Sequence, residues 1–200
     1  MEKAYLVLQN GQVFEGFSFG AKAKSIGELV FTTGMCGYIE TLTDESYFGQ
    51  IVMQTFPMIG NYGIIPSDFE GKPSVRGYVV REWCENPSNF RCEKTLDDYL
   101  KEQGIPGIYG IDTREITKII REYGVMNAVI CDEIPNDLTD VINYKVENAV
   151  KSVTTDEEYI SKAENEKYNV TLIDYGAKRN IIRELNKRGC TVKVVPSSYT

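Results

Sequence analysis

Histidine is absent from the 200 residues, and that absence shapes every chemical reading of the chain. Without an imidazole there is no His-dependent triad, no His-ligated metal and no imidazole acid–base step within these residues. The five cysteines are Cys36, Cys84, Cys92, Cys131 and Cys190. Their number is odd and the chain carries no secretory segment, so a disulfide framework is not expected. Cys84 and Cys92 stand eight apart with no close second pair, which is weak evidence for a metal site. Cys36 lies in Gly-Met-Cys-Gly-Tyr, the outline of a nucleophile elbow. A catalytic thiolate needs an imidazolium or a helix N-terminus to stabilise it. Cys36 is therefore expected to be a buried or semi-buried, inert thiol, and no catalytic residue and no metal ligand is assigned.

Two other stretches could meet a ligand. FTTGMCGYIETLTDESYFGQ (31–50) is the densest polar and glycine-rich segment between two strand patterns. Gly34 and Gly37 permit tight turns or close backbone approach, while Thr32, Thr33, Thr41, Thr43, Ser46 and Tyr47 supply donors and acceptors. Composition favours an ordinary structured loop over a ligand-touching one, and Glu40 and Asp44 suit helix capping as well as chemistry. DYGAKRN (174–180) lies where an expected parallel strand enters a helix, a position at which α/β sheets place ligands. Gly176 alone is no phosphate fingerprint, and neither GxGxxG nor a Walker sequence occurs. Lys178 and Arg179 read as first-turn surface residues or an interface pair.

The elements that must position these stretches come from periodicity and punctuation. AYLVLQNGQVFEGFSFG predicts a hairpin, with Asn10-Gly11 suited to a type I′ turn. ELVFTT, QIVMQTF, VRGYVVREW, IPGIYGI and VMNAVIC read as strands, and residues 57–74 as a long shaped loop. TLDDYLKEQG predicts a helix capped by Thr95 and stopped at Gly104. DTREITKIIREYG predicts another, with Asp112 and Glu115 at capping-box spacing and Ile116, Ile119, Ile120 and Tyr123 as its apolar stripe. A short helix is expected after Pro135. Residues 150–167 are polar and weakly periodic, marking a boundary. The tail, NVTLIDYGAKRNIIRELNKRGCTVKVVPSSYT, predicts strand, helix and strand, with Ile181, Ile182 and Leu185 as the packing side of the helix and Cys190 in the core. The strand-rich first part suggests an α+β-like domain with substantial sheet, and the tail a parallel α/β unit.

Bulk properties narrow the partners. A net charge of −7 without a basic run argues against a nucleic-acid partner. No stretch approaches the roughly 18 apolar residues of a membrane span, and the N-terminus lacks the features of a signal or transit peptide. A cytoplasmic location is expected.

Several long segments, in order, resemble one family. FTTGMCGYIETLTDESYFGQIVMQTFPMIGNYG, RGYVVRE, PSNFR, GIPGIYGIDTREITKIIREYG and DYGAKRNIIRELNKRGC are similar to the small subunit of glutamine-hydrolysing carbamoyl-phosphate synthase. The resemblance implies an α/β protein. Its N-terminal domain would be a three-layer β/β/α domain over residues 1–150, followed by a linker at 151–168. Residues 169–200 would be the first β-α-β of a flavodoxin-like class I glutamine amidotransferase domain, cut before its nucleophile. It further implies that L-glutamine is hydrolysed through a cysteine thioester with a histidine and a glutamate, none of which has a counterpart here. Ammonia would pass to a large subunit, which uses bicarbonate and two ATP to make carbamoyl phosphate for arginine and pyrimidine synthesis. ATP and Mg would sit on that large subunit, with no cofactor in this piece, and the assembly would be a heterodimer. One site residue carries over: Ser46, in TDESY, matches a position that reaches toward bound glutamine. Cys36 stands where the family often has threonine, and Ile65, after GNYG, where many relatives have asparagine. The piece is expected to be inactive alone, with a non-catalytic docking or interaction domain as the alternative. Its tail, lacking a complement for one face, is expected to be open to proteolysis from the linker onward.

Overall fold

Seven short strands rich in Val, Ile, Leu and Phe close on one another in the structure, a computed structural model that describes residues 2–199. In chain order the first elements are β1 (Lys3–Leu8), β2 (Val13–Gly20), β3 (Ser25–Thr32), α1 (Tyr38–Thr43), β4 (Gln50–Gln54) and β5 (Met58–Ile59). Next come β6 (Gly77–Val79), β7 (Glu82–Trp83), α2 (Leu96–Glu102), β8 (Pro106–Tyr109), α3 (Thr113–Tyr123) and β9 (Met126–Cys131). The chain continues through α4 (Thr139–Ile142), α5 (Ala149–Val153), β10 (Tyr159–Ser161), β11 (Tyr168–Asp174), α6 (Arg179–Lys187) and β12 (Cys190–Pro196). The barrel order is β1-β2-β8-β6-β4-β3-β9, with β9 pairing back onto β1. Its pairings are mixed: β3, β4, β6 and β8 run parallel to one another, and the other contacts are antiparallel. The class is thus α/β with mixed sheets.

Alternation along the strands sorts side chains into two cores. Leu6, Leu8, Leu29, Ile51, Met53, Val79, Ile108, Ala128 and Ile130 fill the barrel interior, where Ile116, Ile119 and Ile120 of α3 join them. The intervening Val52, Tyr78 and Val80 point outward against Ile39 and Leu42 of α1 and Leu96, Tyr99 and Leu100 of α2. Val7, Val129 and Cys131 meet Val141 of α4 on another side. Strands buried on both faces read as near-continuous apolar runs, which explains why QIVMQ and VMNAVIC were recognisable as strands.

The helix caps fall where the sequence predicts them. Thr95 accepts a hydrogen bond from Asp98 N–H at 3.1 Å. Asp112 accepts from the N–H groups of Arg114 and Glu115, both at 3.0 Å. Other details differ. The β1–β2 turn is not type I′, because among the described non-glycine residues only Asn148 has a positive φ. Leu8 N–H donates to Gln12 O and Gly11 N–H to Leu8 O, each at 2.9 Å, so the loop is three residues long, with Gly11 at φ 86°. A three-residue loop requires positive φ only at its last position. Tyr123 is 71% exposed and leaves the α3 stripe. The strand pattern at 75–83 divides into β6, in the barrel, and β7, which pairs with β5.

The tail forms its own three-stranded sheet, β10-β12-β11. β11 and β12 are parallel, as expected, but β10 comes from the stretch read as a linker and pairs antiparallel with β12. Residues 151–168 therefore hold the end of α5 and a strand. Ile182 packs with Val192 and Val194, joined by Leu172, Leu185 and Cys190, whereas Ile181 is 48% exposed.

Candidate functional site

The polar stretch at 31–50 folds into α1 followed by a single 3-10 turn, Glu45–Tyr47. Asp44 ends the first and caps the second. One of its oxygens accepts from Ser46 N–H at 3.0 Å and from the Ser46 hydroxyl at 2.7 Å. The other faces Lys178 Nζ at 2.9 Å. Asp44 itself is only 7% exposed, while Ser46 is exposed. Burial alone would raise the Asp44 carboxyl, but hydrogen bonds from Lys178 and Ser46 outweigh it and hold it below the ordinary value. The same pairing raises Lys178. A buried carboxylate with a cation and a hydroxyl as partners is a satisfied arrangement, and it fixes the Ser46 side chain.

Lys178 belongs to DYGAKRN, so the two candidate stretches meet in space. The turn after β11 is shaped by Asp174, 8% exposed, which accepts from the N–H groups of Gly176 at 2.9 Å, Ala177 at 2.8 Å and Thr155 at 2.7 Å. Gly176 has φ 91°, and a Cβ there would lie 2.9 Å from Val153 and 3.5 Å from Glu45. Both the backbone conformation and the close approach of Val153 at the end of α5 therefore demand glycine. Beside this junction an open cleft of about 770 Å³ is lined by Glu45, Glu70, Lys72, Asp156, Asp174 and Arg179, among others. Burial pushes Glu45 up, and the Asp174 charge adds to the shift.

Cys36 departs from expectation: it is exposed. The ring of Tyr38 is buried and stacks on Tyr62 at 4.2 Å, and Gly37 N–H donates to the Tyr62 hydroxyl at 3.0 Å. This pins the start of α1 inward and leaves the preceding turn, with its thiol, at the surface. Cys84 and Cys92 are partly exposed free thiols. Among the described residues no three Cys, Asp or Glu side chains gather as a metal site, and no helix is long and apolar enough to cross a membrane. Ile65 is buried in the core against α1 and α2, so it offers no polar contact.

Sequence reasoning singled out Ser46 but not the residues that hold it. Asp44, which in the sequence suits capping as well as chemistry, caps; Lys178, which reads as a surface or interface residue, is at the interface. Glu70 was not marked at all. Its carbonyl accepts from Arg179 N–H at 2.7 Å and its carboxylate from Asn180 N–H at 2.9 Å. The missed signal is in DYGAKRN: its helix opens at Lys178, a residue type that cannot cap its own N–H groups.

Comparison with known proteins is consistent across the chain. The family model for the carbamoyl-phosphate synthase small chain, CPSase domain, matches residues 6–130. The carbamoyl phosphate synthase small chain of Clostridium perfringens is 49% identical over 201 residues, covering 98% of this chain and 57% of the relative. That of Streptococcus agalactiae is 46% identical over 206 residues, covering 99% and 56%. The Bacillus anthracis protein of the same name is 48% identical over 202 residues, covering 99% and 55%. The chain spans about half the length of the curated relatives it matches. With a family match over more than half of its residues and near-half identity along nearly all of them, the chain belongs to the carbamoyl-phosphate synthase small chain family.

Proposed function

We propose that this chain is the amino-terminal part of the glutamine amidotransferase subunit of a carbamoyl-phosphate synthase, and that its share of the work is to close one side of the glutamine pocket. In this reading residues 1–150, with the barrel and its flanking helices, are the family's β/β/α domain. Residues 151–168 are the connection, and residues 169–200 begin a flavodoxin-like class I amidotransferase domain. The complete subunit would take ammonia from L-glutamine and deliver it to a large chain. That partner, holding ATP and Mg, would build carbamoyl phosphate from bicarbonate and two ATP for arginine and pyrimidine synthesis, in a cytoplasmic heterodimer.

The observation that carries the reading is the setting of Ser46. It is exposed, fixed by Asp44, and lies at the junction with Lys178 at the start of α6. β11 and β12 end together there, with Asp174 opposite Pro196, and open α/β sheets bind ligands beyond such carboxyl ends. The Ser46 proton is directed at Asp44, so its oxygen has lone pairs to offer. An acceptor of that kind suits the ammonium end of an amino acid. Glutamine hydrolysis itself needs an activated nucleophile, and these residues hold no imidazole to activate one.

The test is a glutaminase assay on the 200-residue chain. Neither ammonia release nor a thioester is expected, whereas the subunit extended to the length of its relatives should turn over glutamine. Stoichiometric thioester or ammonia from the 200-residue chain would overturn the supporting role.

A further inference from the structure

Helix α6 begins without a cap of its own. Its N-cap is Lys178, with no side-chain cap hydrogen bond, and the lysine, which can only donate, is turned toward Asp44. The first N–H groups of a helix have no partner within it. Ile181 N–H finds Lys178 O at 3.0 Å, which leaves Arg179 and Asn180. Both are answered from the barrel side by one residue, Glu70, through its carbonyl at 2.7 Å and its carboxylate at 2.9 Å. The preceding carbonyl, of Phe69, accepts from the Arg183 guanidinium one turn further on at 3.3 Å. Glu70 N–H in turn donates to the Thr43 hydroxyl at 3.0 Å, at the end of α1 and next to Asp44.

We propose that Glu70 is a positioning residue: a helix cap supplied across the barrel–tail junction, which locks the start of α6 in register with the turn that carries Ser46. The separation of 110 residues between Glu70 and Asn180 makes it a long-range cap. A carboxylate at a helix N-terminus is favoured by both hydrogen bonding and the helix dipole. The hydrogen-bonded chain from the Thr43 hydroxyl through Glu70 to α6 then transmits position from the Ser46 turn to the helix, independently of the Lys178–Asp44 ion pair. The inference rests on the glutamine reading for its consequence in turnover, but the cap itself is a property of this chain.

The experiment has two arms. In the 200-residue chain, amide hydrogen exchange is measured for Glu70→Ala and Glu70→Gln. In Glu70→Ala, Asn180 and its neighbours in the first turn should exchange about five- to tenfold faster, the scale of a lost cap. Glu70→Gln, which keeps an acceptor, should restore most of the protection, and the amides at the Leu185 end should not change. Unchanged exchange at Asn180 in Glu70→Ala overturns the cap. In the extended subunit assembled with its large chain, Glu70→Ala should raise the glutamine KM several-fold while kcat and ammonia-dependent activity hold. Faster exchange with an unchanged KM overturns the positioning role. The glutamine reading fails separately, if Ser46→Ala leaves that KM unmoved while the exchange arm succeeds.

Discussion

The barrel and the tail sheet solve the same burial problem to different degrees. In the barrel every strand has two neighbours, both faces of the central strands are covered, and no strand edge is left free. The tail sheet has three strands and one helix. α6 covers the face bearing Val192 and Val194, while Ile160, Ile173 and Tyr175 on or beside the rest of the sheet are 61%, 45% and 60% exposed. The outer edge of β11 has no strand partner among the described residues. A closed barrel holds its shape through its own core. The tail meets the barrel side through a handful of polar contacts at the junction, and those contacts lie beside Ser46, the residue proposed to meet substrate.

The largest test of this contrast is to hollow each core. Ile51→Ala, at a fully buried barrel position, should cost about 3 kcal/mol in urea denaturation, within the range for such truncations. Ile182→Ala, on the single-helix layer, should cost less than half as much and leave the barrel transition in place. Equal losses, or a single shared transition in both variants, would mean that barrel and tail unfold as one unit. Limited proteolysis gives a second, coarser reading. Cleavage should concentrate in residues 150–168 and leave a resistant barrel, although β10 lies within that stretch and its pairing with β12 will slow cutting at Tyr159–Ser161. First cuts within the barrel strands would reverse the comparison.

Smaller effects separate two neighbouring carboxylates at the junction. Asp44 has a folded-state value below its unfolded one, so its contribution is present above about pH 4 and lost as pH falls through the lowered value. Asp44→Asn should therefore lower Tm by a degree or two at pH 7, in keeping with an ion pair whose lysine is half exposed, and the difference should fade in acid. Glu45 is raised by burial, so the sign reverses: its charged form is disfavoured in the folded chain. Glu45→Gln should raise Tm by about 1 °C at pH 7, with the gain vanishing below about pH 4. A thermal melt series from pH 3 to pH 8 would distinguish the two, and parallel profiles would contradict the opposed shifts.

Sequence pattern carried the elements well because their causes are local. The α3 stripe, the Thr95 and Asp112 caps and the alternating strands are set by residues within a few positions of one another. It misjudged Cys36 because exposure of that thiol depends on Tyr38 stacking against Tyr62, in a loop far along the chain. It gave no sign of β10 within residues 151–168 because β10 is a strand only by virtue of β12. Of the proposed glutamine contact the sequence offers one residue, Ser46, and that through family resemblance. Asp44, Glu70 and Lys178 converge from three separate segments, and nothing within any one of them specifies the others. The uncapped start of α6 was the exception: a helix opening on lysine already implied a partner elsewhere.

The central claim is that the barrel lends Ser46 to a glutamine pocket completed by the amidotransferase domain. Steady-state kinetics of Ser46→Ala in the extended subunit, assembled with its large chain, test it most directly. Loss of one hydrogen bond to a charged substrate group predicts a glutamine KM about tenfold higher, with ammonia-dependent carbamoyl phosphate synthesis unchanged. An equal loss with both nitrogen donors, or no change with either, would contradict the claim.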